Sequence, residues 1–213
     1  MTVKILLVDD HPNVRRGLRK ILDQSSQIEV IGEAGDGKTA LSLAEEMQPD
    51  LLLLDVEMPG MKGYEVARHL SQGGSETRIL AISAYDEKNY ILGMFASGAA
   101  GYLTKDEAPQ QLLLAVEEIA AGRRGWISPK VALRLGVPAK PSGQETIPAL
   151  TKMEVRILKA AINGKSDAEI LEELNIESSV LAANIQSLFR KLAVNTRLGI
   201  ILRAIQEDLI SNY

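Results

Sequence analysis

Residues 3–10 read VKILLVDD and residues 51–55 read LLLLD, so two short apolar runs each end in aspartate. Continuous apolar runs of this length are typical of strands that are buried on both faces of a parallel sheet. Three more runs begin at Ile28, Arg78 and Gly101, and apolar residues at helical spacing follow each of the five runs. This alternation predicts an α/β fold with a doubly wound, five-stranded parallel sheet of order 2-1-3-4-5.

The composition restricts the class of protein before any motif is considered. Of 213 residues, 46% are hydrophobic and 24% are charged, which is the balance of a soluble globular protein. Cysteine is absent, which excludes disulfides and thiolate metal sites. Of the two histidines, His69 is interpreted as a surface residue and His11 as a solvated loop residue, with the alternative that His11 lines a site beside the adjacent aspartates. The sequence has neither an apolar run of about 18 residues nor a secretory signal, so we expect a cytoplasmic protein with no membrane partner.

Three regions of the chain differ in their pattern. Strands and helices alternate over residues 1–124, whereas residues 125–148 contain four of the eight prolines and are predicted to form a linker with a short helix around 129–135. Residues 149–213 show the spacing of four helices, one of them opened by a capping box between Ser166 and Glu169. The expected organisation is an α/β domain, a linker and an all-α four-helix domain.

Acidic residues outnumber basic ones. The whole chain has 24 basic and 28 acidic residues; residues 1–124 account for 13 and 19 of these, and residues 146–213 for eight of each. Because no region is strongly basic, the charge counts against nucleic acid as a partner.

Three carboxylates are predicted to meet at the carboxyl edge of the sheet. Asp9 and Asp10 end the first strand and Asp55 ends the third, and these strands are neighbours in the predicted order. Such a cluster is costly unless a cation neutralises it, and hard oxygen ligands favour Mg²⁺. Ser83 and Lys105 follow the fourth and fifth strands, where a hydroxyl and an ammonium can bind the oxygens of a phosphoryl group on Asp55.

This pattern resembles the receiver domain of two-component response regulators, which has a flavodoxin-like fold, over the whole of residues 1–124. The resemblance implies that Asp55 is the phosphoacceptor. The matching residues are Asp9-Asp10, Leu51–Asp55 followed by Met58-Pro59-Gly60, Ser83-Ala84, and Gly101-Tyr102-Leu103-Thr104-Lys105.

The resemblance also implies roles for the residues around the phosphoacceptor. Mg²⁺ would be held by Asp10 and Asp55, by Asp9 largely through water, and by the backbone carbonyl of Glu57. Lys105 and Ser83 would be phosphoryl ligands. Ser83 and Tyr102 would form a switch pair, in which the hydroxyl moves toward the phosphoryl group while the aromatic ring turns inward.

Residues 32–39, GEAGDGKT, match the spacing of a nucleotide-binding P-loop between a strand and a helix. The match follows the second strand, however, and the acidic strand Leu51–Asp55 comes very soon after Thr39. We interpret the glycines as a tight turn into a helix, and we expect that the chain is not an enzyme.

The helices of residues 149–213 have the order of a helix-turn-helix, whose second helix enters the major groove of DNA. They resemble the output domain of NarL/FixJ-type (LuxR-type) regulators, which implies a DNA-binding transcriptional regulator that forms a homodimer. The matching residues are Leu150-Thr151, Glu154, Ile157-Leu158, Gly164-Lys165-Ser166, Glu169-Ile170, Leu174, Ile176, and Lys191-Leu192-Ala193-Val194 before Thr196-Arg197.

The predicted DNA-contacting surface departs from the pattern of that family. Where the recognition helix of the family usually starts Thr-Val-Lys, this chain has Val180, Leu181 and Ala182, and the face opposite the apolar stripe has one positive charge. Because phosphate contacts supply most of the non-specific affinity for DNA, this loss weakens the prediction of DNA binding. The candidate nucleic-acid contacts are Lys165, Ala182, Asn184, Gln186, Ser187, Arg190 and Lys191.

Two functions remain open. The first is a response regulator that a sensor histidine kinase, or a small phosphodonor, phosphorylates on Asp55 and that acts as a DNA-binding transcriptional regulator. The alternative is a receiver-controlled regulator whose degenerate helix-turn-helix domain works through protein–protein contacts or atypical DNA binding, including a form that is independent of phosphorylation. The salt dependence of DNA affinity separates them, because phosphate contacts release counterions.

Overall fold

The computed structural model describes residues 2–136, 148–194, 196–207 and 209. The chain divides into two units, residues 1–131 and residues 132–213. The division lies within the segment 125–148 that the sequence predicts as a linker, and residues 137–147 of that segment lie outside the described residues.

In the first unit, strands and helices alternate as the sequence predicts. The strands are β1 (Val3–Val8), β2 (Ile28–Ala34), β3 (Leu51–Asp55), β4 (Arg78–Ser83), β5 (Gly101–Thr104) and β6 (Trp126–Ile127). The helices are α1 (Pro12–Leu22), α2 (Gly37–Met47), α3 (Gly63–Gln72), α4 (Lys88–Ala96) and α5 (Ala108–Ala120), and a 3₁₀ turn at Lys105–Glu107 joins β5 to α5. A sixth helix, α6 (Pro129–Leu135), forms where the sequence predicts a short helix and continues past residue 131.

The sheet is parallel throughout, with order 2-1-3-4-5-6. The predicted order of the first five strands is confirmed, and a sixth strand that the sequence does not predict is added at the edge. In this strand, Trp126 pairs with Gly101 and Ile127 pairs with Tyr102. Two residues are too few to show a strand pattern in the sequence, since alternation is read over four to eight residues.

The register of the strands brings their carboxyl ends to one edge. Residues 5–8 of β1 and 51–54 of β3 are buried in the middle of the sheet because both faces are covered by helices. Asp55 lies opposite Ile82, and Ser83 lies opposite Thr104. The aspartates that end the apolar runs, the serine that ends β4 and the lysine that follows β5 therefore share one edge.

Glycine at position 63 lets the chain pass close to the end of β3. A Cβ atom at Gly63 would lie 2.2 Å from the carbonyl oxygen of Asp55 and 2.9 Å from the Cα of Val56. The Gly63 N–H donates to the Val56 carbonyl at 2.9 Å, which fixes the start of α3 against this strand end. Because the clashing atoms belong to the backbone, a side chain at this position cannot be accommodated by a change of rotamer.

In the second unit, the described helices after α6 are α7 (Lys152–Ile162), α8 (Asp167–Leu174), α9 (Ser178–Lys191) and α10 (Arg197–Gln206). The predicted capping box of α8 is confirmed: the Ser166 N–H donates to the Glu169 carboxylate at 2.7 Å, and the Glu169 N–H donates to the Ser166 hydroxyl at 3.4 Å. Asn175 adopts a left-handed conformation with φ 49°, which turns the chain between α8 and α9.

The last helix, α10, packs on α7 and α9. Its apolar residues Ile200, Ile201 and Ala204 are buried. Within the described residues, none of the helices combines the length and the apolar character needed to cross a bilayer.

Candidate functional site

Three aspartates converge at the carboxyl edge of the sheet, and we call Asp9, Asp10 and Asp55 the acidic site. One side-chain ligand atom from each of them, and one from His11, lie within 4.8 Å of one another. Asp9 and Asp55 are buried, whereas Asp10 is half-buried. The convergence predicted from the ends of β1 and β3 is therefore present in the structure.

Lys105 bridges the two buried carboxylates of the acidic site. Its Nζ lies 2.6 Å from Asp9 Oδ2 and 2.7 Å from Asp55 Oδ2. Burial raises the pKa of the Asp55 carboxyl, and the hydrogen bond from Lys105 opposes this increase. Burial alone would lower the pKa of Lys105, but the hydrogen bonds to Asp55 and Asp9 outweigh it and raise the pKa, so the side chain stays an ammonium.

The donor set of the acidic site fits a small hard cation. Carboxylate oxygens from three aspartates lie close together, and Mg²⁺ is bound in proteins through one or two carboxylates and several waters. The Glu57 N–H lies 3.4 Å from Asp55 Oδ1, which places the Glu57 backbone at the rim of the site. The Glu57 carboxylate points to Lys62, whose Nζ lies 2.6 Å away.

His11 lies at the mouth of the acidic site. Its side chain is 66% exposed, which agrees with the interpretation as a solvated loop residue. Its Nδ1 nevertheless lies 2.7 Å from Asp10 Oδ1. The His11 N–H donates to Asp9 Oδ1 at 2.8 Å. The sequence places His11 beside the aspartates, where it could line the site, but does not show which way its ring turns.

The two residues of the predicted switch pair both bind the backbone of Tyr85. The Ser83 hydroxyl accepts from the Tyr85 N–H at 3.1 Å, and the Tyr102 hydroxyl donates to the Tyr85 carbonyl at 2.9 Å. Ser83 and Tyr102 are both fully buried, and burial raises the pKa of Tyr102 to about 12. The phenol is therefore neutral at physiological pH, and its ring is turned inward in this structure.

The P-loop-like turn at residues 32–39 is closed by its own carboxylate. Asp36 caps the start of α2, and its side chain accepts from the Thr39 N–H at 3.0 Å and from the Thr39 hydroxyl at 2.8 Å. A phosphate at this helix start would meet a negative charge, whereas helix N-termini bind anions through free N–H groups. The geometry agrees with a tight turn into a helix.

The structure separates the seven candidate nucleic-acid contacts into two groups. Ala182, Gln186 and Arg190 are exposed along α9. The other four make contacts within the unit. The Asn184 amide donates to the Val180 carbonyl, Lys165 pairs with Glu173, and both Ser187 and Lys191 bind Glu154.

Glu154 is a buried carboxylate that holds α7 against α9. Its oxygens accept from the Ser187 hydroxyl at 2.7 Å, from Lys191 Nζ at 2.8 Å and from the Thr151 N–H at 2.6 Å. Burial would raise the pKa of Glu154, but the hydrogen bonds from Lys191, Thr151 and Ser187 outweigh it and lower the pKa. Lys191 also donates to the Ala149 carbonyl at 2.9 Å, so much of its donor capacity is used inside the unit.

Comparison with known proteins identifies similarity in both halves of the chain. Residues 5–117 match the response regulator receiver domain family. A "Probable transcriptional regulatory protein NarL" of Mycobacterium tuberculosis is 34% identical over 208 residues, which are 98% of this chain and 96% of that protein. The nitrate/nitrite response regulator protein NarP of Escherichia coli is 34% identical over 206 residues, 96% of this chain and 95% of that protein.

A solved structure matches nearly the whole length of the chain. The response regulator ChrA of a heme-sensing two-component system is 33% identical to it, with a TM-score of 0.54, and the match covers 98% of this chain and 99% of that one. The similarity thus extends beyond the α/β unit into the helical unit.

Proposed function

This chain is a response regulator of a two-component system and belongs to the NarL/FixJ family, and from that premise we propose that a phosphoryl group on Asp55 controls DNA binding by residues 149–213. In this proposal residues 1–124 are the receiver domain and residues 125–148 are the linker. One observation carries it: the buried Asp55 carboxylate lies 2.7 Å from the Lys105 ammonium at the strand edge that also holds Asp9 and Asp10.

Phosphorylation is a group transfer to the Asp55 carboxylate. One oxygen of Asp55 attacks the phosphorus of a phosphohistidine or of a small phosphodonor. The oxygen–phosphorus bond forms while the bond to the donor breaks, and the donor leaves with the electron pair. The Lys105 ammonium is in place to neutralise the charge that develops on the phosphoryl oxygens. Mg²⁺ held by Asp9, Asp10, Asp55 and the Glu57 carbonyl would supply further positive charge when bound.

The proposed partner in this step is a sensor histidine kinase. Its phosphohistidine supplies the phosphoryl group, and the half-exposed Asp10 and the exposed His11 mark the side from which it reaches Asp55. We place the exchange in the cytoplasm, which is a reducing compartment that suits a chain without cysteine.

The proposed switch acts through the backbone of Tyr85. A phosphoryl oxygen on Asp55 attracts the Ser83 hydroxyl, which then releases the Tyr85 N–H that it now accepts from at 3.1 Å. The Tyr85 carbonyl is bound by the neutral Tyr102 hydroxyl, so movement of this loop and of the tyrosine ring is coupled. Such a change shifts the population of states only because the phosphoryl group bonds differently in each.

The proposed output is DNA binding through the exposed side of α9, by a dimer. Gln186 can pair with an adenine edge, Ala182 can contact a thymine methyl group, and Arg190 can bind a phosphate. The match to transcriptional regulators over nearly the whole chain supports this assignment.

The alternative output is contact with another protein, and a specific observation favours it. Lys191 pairs with Glu154 and Lys165 pairs with Glu173, so two of the candidate DNA-binding cations are engaged inside the unit. In addition, α8 exposes four acidic residues, which repel a phosphate backbone. They are Asp167, Glu169, Glu172 and Glu173.

The test of the proposal is phosphate incorporation from acetyl phosphate in the presence of Mg²⁺. Wild-type chain is expected to take up one phosphoryl group, and Asp55→Asn is expected to take up none. Asp23→Asn is the matched control, because Asp23 is an exposed carboxylate at the end of α1 and its loss should leave the uptake unchanged. Labelling that persists in Asp55→Asn would refute the assignment of the phosphoacceptor.

A further inference from the structure

The side chain of Glu107 ties the turn that carries Lys105 to Ser128 and to the first turn of α6. One carboxylate oxygen, Oε2, accepts from the Thr104 hydroxyl at 2.6 Å and from the Ser128 hydroxyl. The other oxygen, Oε1, accepts from the Lys130 N–H at 2.9 Å. Three donors on one carboxylate are charge-assisted bonds, which are roughly twice as strong as neutral ones.

Two of these partners, Thr104 and Ser128, lie close to the proposed switch residue Tyr102. Thr104 follows Tyr102 on β5, and Ser128 follows Ile127, the β6 residue that pairs with Tyr102. The Ser128 N–H also donates to the Tyr102 carbonyl at 3.2 Å. Thr104 and Ser128 are fully buried, so water cannot replace Glu107 as the hydrogen-bond acceptor of their hydroxyls.

A neighbouring ion pair ties the same two segments but from outside. Lys130 Nζ lies 2.8 Å from Asp106 Oδ2, and the two side chains are 43% and 62% exposed. Exposed pairs of this kind contribute little, since water screens them and both side chains lose freedom. The bonds from the buried Thr104 and Ser128 hydroxyls to Glu107 therefore fix how the two segments lie together. The exposed Asp106–Lys130 pair serves as a control for them.

We infer that Glu107 is a positioning residue through which the state of Asp55 reaches the start of α6. The inference rests on the proposed function, because it requires Lys105 to follow a phosphoryl group on Asp55. Lys105 and Glu107 belong to one 3₁₀ turn, so any movement of the turn backbone as Lys105 follows the phosphoryl group also moves the carboxylate. Glu107 is hydrogen-bonded to both Ser128 and Lys130. A movement of its carboxylate therefore either moves the start of α6 or breaks these bonds.

The chain has a built-in reporter at this position. Its one tryptophan, Trp126, is buried on β6, two residues before Ser128. Its fluorescence emission should therefore change when the bonds between Glu107 and the segment before α6 change.

The experiment loads the full-length chain with Mg²⁺ and beryllofluoride, a mimic of the phosphoryl group. Loading is measured by ¹⁹F NMR and the response by Trp126 emission. Wild-type chain should load and change its emission. Glu107→Ala and Ser128→Ala should load but lose the emission change, whereas Glu107→Gln, which keeps an acceptor oxygen, should retain part of it. Asp106→Ala is the matched control and should respond like the wild type.

The outcomes separate the two claims. Failure of the wild type to load, or loading of Asp55→Asn, contradicts the proposed function. A full emission change in loaded Glu107→Ala or Ser128→Ala, an absent change in the loaded wild type, or an equal loss in Asp106→Ala overturns the role of Glu107. Ser128→Ala keeps the test valid if Glu107→Ala does not fold, because it removes one hydroxyl and leaves the carboxylate in place.

Discussion

Lysines that pair with buried carboxylates have different roles in the two units of the chain. In the first unit Lys105 lies between two buried carboxylates, for which a bound cation could compete, while the oxygens of a phosphoryl group could compete for the lysine. In the second unit Lys191 also binds a buried carboxylate, Glu154, but the Ser187 hydroxyl and the Thr151 N–H complete that network without an outside ligand. In the first unit three carboxylates converge around one lysine, which suits the site we propose, whereas in the second unit three donors bind one carboxylate and form a structural tie.

The largest expected effect is a loss in the rate of phosphorylation when Lys105 is replaced. Lys105→Met removes the ammonium that would stabilise the charge on the phosphoryl oxygens, and loss of one such donor slows a reaction by about 100-fold. The rate of phosphate incorporation from acetyl phosphate measures it. Lys62→Met is the matched control, because Lys62 pairs with Glu57 at the rim, and a comparable slowing there would show that the loss is not specific to the acidic site.

The next largest effect is expected on the stability of the first unit, when Gly63 beside the acidic site is replaced. Gly63→Ala would place a Cβ atom 2.2 Å from the Asp55 carbonyl oxygen, and we expect the free energy of unfolding of the first unit to fall by about 3 kcal/mol. Trp126 emission in a urea titration measures this change. Gly17→Ala, where nothing lies within 4 Å of the added atom, should instead raise stability by about 1 kcal/mol. Equal effects of the two changes would show that close packing at Asp55 is not what requires glycine.

In the second unit the test is Lys191→Met, which leaves Glu154 buried without its cation. We expect α7 and α9 to lose roughly 2 kcal/mol of protection in amide hydrogen exchange, less than for a fully buried pair because Lys191 is 22% exposed. Lys159→Met, at an exposed position of α7, should stay within about 0.5 kcal/mol of the wild type. If both variants behave alike, the Glu154 network is not a structural tie.

The same network predicts a dependence on pH. The pKa of Glu154 is lower in the folded chain than its usual 4.5, so its contribution to stability is complete above that pH and is lost as the pH falls through the folded-state value. Hydrogen exchange of α7 and α9 should show this acid loss in the wild type and a weaker one in Lys191→Met. An identical acid loss in both would assign it to other groups.

The smallest effect is expected on the exposed side of α9. Arg190→Ala should weaken binding to mixed DNA fragments and reduce the slope of log affinity against log salt by about one per copy of the chain. Lys159→Ala lies on a helix that the proposal does not place against DNA, and it should leave the slope unchanged. The reverse result would move the DNA-contacting surface from α9 to α7.

The sequence predicts the first unit better than the second for a physical reason. Apolar runs that end in aspartate determine both the sheet and its acidic edge, because the carboxyl ends of parallel strands must meet. Which carboxylates Lys105 would bridge was not predictable, since a long flexible side chain can reach several. The sixth strand and the contacts of Glu107 were not predictable either. Near them the sequence has only one recognisable pattern, the Ser128-Pro129 pair that is typical of a helix start.

In the second unit, helical spacing correctly predicts the helices and the capping box of α8, but it cannot identify side-chain partners. Ser187 and Lys191 fall near the exposed side of α9 on the helical pattern. Their partner, Glu154, is 33 and 37 residues away along the chain. Only the packing of α7 against α9 shows that both side chains are engaged.

We propose that phosphorylation of Asp55 controls DNA binding by a helical unit with few available cations. Fluorescence anisotropy of the full-length chain with mixed genomic DNA fragments, across a salt series with and without acetyl phosphate, tests it directly. We expect tighter binding with the phosphodonor in the wild type but not in Asp55→Asn, with a log–log salt slope of about −2 for a dimer with one Arg190 in each copy. Equal affinity with and without the phosphodonor would contradict it, and no binding at low salt would instead favour the output through protein contacts.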